Sequence, residues 1–82
     1  MKKIKSFYEL EILCCSMGFS HTINSIVELC RLEFMESPRT TIKAQETILL
    51  WWNRLREKPS IKEHRLSYIL LYILRKDMES DL

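Results

Sequence analysis

Apolar residues recur along this chain at helical rather than alternating spacing. Phe7, Leu10, Ile12, Leu13 and Cys14 are followed by Gly18, a residue suited to the left-handed conformation that ends a helix. The pattern predicts a first helix from about Ser6 to Met17. Ile23, Ile26, Val27, Cys30 and Phe34 set out a second, capped by Ser20 or Thr22 and ending near Met35. Ser37-Pro38 reads as an N-cap followed by proline at the first helical position, where its missing N–H costs nothing. The third helix then runs to about Glu57 and stops at Pro59. Its expected inward stripe is Ile42, Gln45, Ile48, Leu49, Trp52 and Leu55, with Lys43, Glu46, Arg54 and Glu57 left to water.

Ser60 and Glu63 form an S-x-x-E capping box, in which each side chain satisfies the other's backbone N–H. It predicts a fourth helix from Ile61 to about Leu74, with His64 on its surface and Asp77 capping a last short turn, Met78 to Leu82. By composition, Leu66 to Leu74 also suits a strand, but the capping box before it and the lack of a nearby turn signal favour a helix. A helix apolar on most of its circumference belongs in the middle of a bundle, so the fourth is expected to be central. The predicted core is Leu10, Leu13, Ile26, Cys30, Ile48, Leu49, Trp52, Ile69 and Ile73. The fold class is all-α, a compact antiparallel bundle of five to six helices formed by residues 1–82 as one domain.

Composition narrows the function more than the fold. The chain has 82 residues, 46% hydrophobic and 29% charged, with one glycine and two prolines, which leaves no glycine-rich loop to cradle phosphates. The longest apolar run, Leu66 to Leu74, is nine residues, where a membrane span needs about 20. Glu9 and Glu11 interrupt any export-signal core after the basic first residues. Three cysteines, two of them adjacent, do not complete a disulfide framework and suit a reducing, cytoplasmic setting.

Cys14, Cys15, His21 and Cys30 are the one metal-type group in the sequence. A structural zinc site wants short pairs such as C-x2-C, whereas vicinal cysteines point two ways on a helix. No third group orients a Cys–His nucleophile pair. Buried thiols are the expectation, with no catalytic residue, cofactor or metal. Of Trp51 and Trp52, about 100° apart on one helix, one is expected in the core. The other is half-buried or part of a binding patch.

Charge is distributed unevenly. Residues 6–36 carry a net −4 and residues 37–76 a net +6, in a chain of net +2. An acidic half that can meet the basic half of another copy gives a heterologous contact that favours chains. The basic residues gather around the corner between the third and fourth helices, at Arg54, Arg56, Lys58, Lys62 and Arg65. A small helix-turn-helix or regulatory nucleic-acid binder using Arg54, Arg56, Lys58 and Arg65 is the rival reading. The low net charge and the apolar fourth helix make it the lesser one.

Several stretches resemble the death-fold superfamily, most closely death effector domains, with death domains second. Trp52 to Glu63 looks like the end of the family's fourth helix and its loop. Leu66 to Ile73 resembles the buried fifth helix. Arg75-Lys76-Asp77-Met78 is similar to the R-x-D-L signature at the start of the sixth, with Met for Leu. Glu9 to Cys14 resembles the second helix, whose apolar pair, here Ile12-Leu13, is an exposed interaction patch in the family. Only about six residues precede Phe7, so the family's first helix has almost no sequence to occupy. Gln45, Leu49 and Trp52 are equally similar to death domains.

The resemblance implies a non-enzymatic module that docks a partner carrying a similar helical domain. It implies possible self-association, in signalling assembly or its inhibition. No membrane partner is expected, and nucleic acid is the lesser alternative. A virus- or phage-type inhibitor of a protein partner is a further alternative. The expected partner-binding residues are Glu9, Ile12, Leu13, Arg54, Arg56, Lys58, Lys62, Arg65, Arg75 and Asp77. The family's R-x-D pair is held by a glutamate early in the second helix, where this chain has Ser6. Glu9, one turn on, is the expected partner of Arg75, with Asp77 as a cap.

Overall fold

A computed structural model describes residues 3–34, 40–57 and 65–80. They form four helices: α1 (Phe7–Ser16), α2 (Ser20–Glu33), α3 (Thr40–Glu57) and α4 (Leu66–Ser80). No strand occurs among the described residues, and no described helix is long and apolar enough to cross a membrane. The all-helical class is as expected, but the helices among the described residues number four rather than five or six. The Ser37-Pro38 and Ser60/Glu63 caps, Pro59 and His64 lie outside the described residues.

The first two helices follow their local sequence. Ser6 caps α1, its Oγ accepting from Glu9 N at 3.3 Å, while the Glu9 carboxylate accepts from Lys5 N at 3.2 Å. This is a capping box stretched back by one residue. At the other end Gly18 has φ +84°. Phe19 N donates to Cys14 O at 2.7 Å and Gly18 N to Cys15 O at 3.1 Å, the paired bonds of a Schellman turn. The helix α2 starts one residue beyond this turn with Phe19 in the cap position and no side-chain cap. Neither Ser20 nor Thr22 therefore plays the capping part expected of them; the tight Gly18 corner has already set the chain's direction.

The last helix departs most from expectation. Arg65 is not helical, so α4 begins at Leu66 rather than Ile61, and it continues without a break to Ser80 instead of ending near Leu74. No glycine or proline follows to stop it, and the i,i+4 pair of Arg75 with Glu79 at 3.0 Å supports the added turn. There is no separate terminal helix among the described residues. Asp77 lies inside the last turn of α4 rather than at a cap.

The middle of the bundle is also not where the apolar pattern put it. Both α1 and α4 pack on α2 and α3, whereas the backbones of α1 and α4 do not approach each other. The central pair is thus α2 and α3, and α4 is an outer helix. Its inner side supplies Tyr68, Leu71, Leu74 and Met78 to a core shared with Leu10 and Cys14 of α1, Ile23, Ile26 and Cys30 of α2, and Ala44, Ile48 and Leu55 of α3. The Cys14 thiol and the Met78 thioether meet at 4.0 Å.

Of the predicted core, Leu10, Ile26, Cys30, Ile48 and Trp52 are buried, and Leu13, Leu49 and Ile69 are half-buried. Ile73 is 48% exposed. The inward stripe of α3 is rotated from the expected one. Ala44 is fully buried, Ile42 points outward, and Trp51 and Trp52 both lie inside. Trp51 meets Tyr68 edge-on, with centroids 5.2 Å apart and planes at 90°, a favoured aromatic geometry. Neither tryptophan offers a surface patch.

Candidate functional site

Adjacent residues on a helix diverge by about 100°, and that divergence separates the Ile12-Leu13 pair. Leu13 packs against the core while Ile12 is exposed. Ile12 lines an open groove of about 230 Å³ between α1 and α2. Tyr8, Glu11, Ile12 and Cys15 form one wall, at the i, i+3, i+4, i+7 spacing of a single helix face. Ser20, Ile23 and Asn24 form the other. Glu9 is exposed, and its carboxylate is engaged by Lys5 N ahead of α1.

The expected pairing of Glu9 with Arg75 does not form. Arg75 is 4% exposed and works inside the fold. Its Nη1 donates to Trp52 O at 2.7 Å, its Nε donates to Glu79 Oε1 at 3.0 Å, and its guanidinium lies 4.6 Å over the Trp52 ring. A planar cation with five N–H donors can satisfy a carbonyl, a carboxylate and a π-face together. Arg75 is therefore a structural residue rather than a surface contact. Asp77 is exposed on the outer side of α4.

The basic corner is only partly described. Arg54 is exposed, and Arg56 is half-buried with Nη2 3.1 Å from Glu57. Arg65 lies 4.3 Å from the centroid of the Phe34 ring, which also holds Lys43 Nζ at 4.9 Å. Lys58 and Lys62 fall outside the described residues. Arg56, Arg65 and Lys43 thus lean on the fold's own aromatic and acidic groups.

An aliphatic surface lies on the helix expected to be central, and it includes Ile69 and Ile73 of the predicted core. Leu66, Leu70 and Ile73 stand on the outer side of α4, 52%, 37% and 48% exposed, with half-buried Ile69 beside them. The signal was legible in the run Leu66 to Leu74, which carries more apolar circumference than one neighbour can cover. The fold buries only one side of this helix.

The two buried thiols are quiet. Burial, with some repulsion from Glu11, pushes Cys14 up to about 11. Cys30 is also raised, chiefly by burial, against an opposing hydrogen bond from Ser67. Both are held as neutral thiols near pH 7, the unreactive form. Ser67, itself fully buried, donates to the Glu33 carboxylate and so ties α4 to α2. Vicinal Cys14 and Cys15 face in and out respectively. No three His, Cys, Asp or Glu side chains converge as a metal site among the described residues. A cleft beside Leu55, Tyr72 and Arg75 has about 10 Å³ of accessible space, room for about one water.

No protein-family model, curated protein or solved structure matches this chain.

Proposed function

We propose that this chain is a non-enzymatic protein-interaction module that docks like helical domains, acting in a signalling assembly or in its inhibition. One observation carries the reading: α4 keeps Leu66, Leu70 and Ile73 in water after its inner side has completed the core. A contiguous aliphatic face on a small domain is stabilised by covering it, and interaction sites are the usual reason it persists. The exposed Tyr8 and Ile12 beside the α1–α2 groove give a second apolar feature on the acidic half.

The finer reading, a death fold most like a death effector domain, is part of this proposal. The helical bundle supports it, as does Ile12 standing outward on the helix that resembles the family's second. Arg75 and Asp77 count against it, because the first is internal and the second caps nothing. Three free thiols suit a reducing, cytoplasmic setting.

Sedimentation velocity across a concentration series tests the homotypic reading. Growth in size from about 1 µM to 1 mM supports it, and a single monomeric species at the upper limit overturns it. Strong, salt-dependent binding to any DNA duplex would instead favour the nucleic-acid reading built on Arg54, Arg56, Lys58 and Arg65.

A further inference from the structure

We infer that two copies of this chain exchange their first helices. Residues 3–17 of each copy, the extended segment ahead of α1 together with α1, fill the same seat in the other bundle. Gly18 opens to allow it, and α1 and α2 join into one helix. The exchange rests on the homotypic reading above and names the partner, a second copy, and the seat it takes. That seat is already built, because the contacts that hold the resident α1 also hold an incoming one. Leu10 and Cys14 are fully buried in the core. The Asn53 amide pairs with both Ile4 N and Ile4 O, at 3.0 and 2.9 Å, and Cys14 meets Met78 at 4.0 Å. These partners lie 49 and 64 positions away, on α3 and α4, which stay in place. Trading an identical element between protomers is a low-cost route to a dimer for this reason.

The corner between α1 and α2 is the connection suited to open. Proline breaks a helix interior, and Pro38 and Pro59 stand in the stretches that join α2 to α3 and α3 to α4. The α1–α2 corner has no proline. Met17 and Phe19 keep negative φ, −100° and −111°, and Gly18 alone is left-handed, at +84°. No side chain caps α2. A helix running through the corner gives the N–H groups of Ser20, His21 and Thr22 the carbonyls of Ser16, Met17 and Gly18.

Charge permits the crossing as well. In a two-fold dimer the two hinges face each other across the axis, where any charged side chain would meet its own copy. Residues 12–27 contain no Asp, Glu, Lys or Arg.

Two measurements on the full chain test the exchange. A dimer assembled at high concentration from isotope-labelled and unlabelled chains should show the Cys14–Met78 contact between chains in filtered NMR spectra. In sedimentation velocity, Gly18→Ala should lower the dimer dissociation constant by about a thousandfold. Each chain is relieved of a left-handed alanine and gains a helical one, and the dimer counts this twice. Leu70→Lys, on the outer side of α4, should leave that constant unchanged. A dimer whose Cys14–Met78 contact stays within each chain, weakened by Leu70→Lys and indifferent to Gly18→Ala, would overturn the exchange and leave the interaction-module reading standing. A wild type monomeric at every concentration would overturn both the exchange and the homotypic reading.

Discussion

The corner between α1 and α2 and the seam between α3 and α4 turn the same kind of chain into structure by different means. At the two ends of α1, the second of them the corner itself, Ser6, Glu9 and Gly18 act on backbone groups within five residues of themselves. At the seam, Trp52 and Arg75 are 23 positions apart, and each satisfies something its own helix cannot. The carbonyl of Trp52 gains a donor, and the guanidinium gains a ring face and Glu79. Local chemistry sets where the first helices begin and end. Non-local chemistry sets which way the last one faces.

The seam should break hardest. Trp52→Ala removes a nearly fully buried indole and the ring beneath Arg75, and should cost about 3–5 kcal/mol in urea denaturation. In a domain of this size that approaches the whole stability. Arg75→Met keeps much of the side-chain volume but leaves the Trp52 carbonyl without this donor, a loss of about 1–3 kcal/mol. A double-mutant cycle sharpens the assignment. Arg75→Ala and Glu79→Ala should couple, while Arg75→Ala and Glu9→Ala should add. Coupling to Glu9 instead would restore the pairing that the sequence suggested.

The corner should yield by less. Nothing lies within 4 Å of a Cβ added at Gly18, so Gly18→Ala is penalised for its positive φ alone, by about 1–2 kcal/mol. Unfolding by heat or urea measures it. A pH-dependent effect belongs to Cys14 on the inner side of α1. Its thiol is raised from 9.0 to about 11, so the folded state favours the protonated form. That contribution is complete below about pH 9 and drains away as pH climbs toward about 11. The melting temperature should fall over this window, and less steeply in Cys14→Ala.

What was legible in the sequence follows the same division. The start of α1 at Ser6 and its stop at Gly18 could be read because cap and turn chemistry lies in adjacent residues. The end of α4 could not. Asp77 resembles a cap, yet the helix runs on past it to Ser80, where Glu79 pairs with an Arg75 that Trp52 holds from across the fold. Ile73 and Leu74 make the case at the level of the surface. Both are aliphatic neighbours in one apolar run, and the run is too apolar for periodicity to say which of them faces in. The choice was made by α2 and α3, whose positions relative to α4 are set by packing rather than by spacing.

Asn53, buried on α3, bears on the order in which the molecule assembles. Its side-chain amide behaves as a rung of a sheet, taking Ile4 N at 3.0 Å and donating to Ile4 O at 2.9 Å. These bonds join positions 49 apart in sequence, so they close a loop that contains α1, α2 and most of α3. Loop-closure entropy makes such a contact slow to form until the intervening helices have condensed. The Gly18 corner can close at once; the segment ahead of α1 must wait for α3 to be seated. Its amides should then be among the first to exchange with solvent, ahead of those in α2 and α3. The segment ahead of α1 thus acts as a latch, last to be set and first to be released.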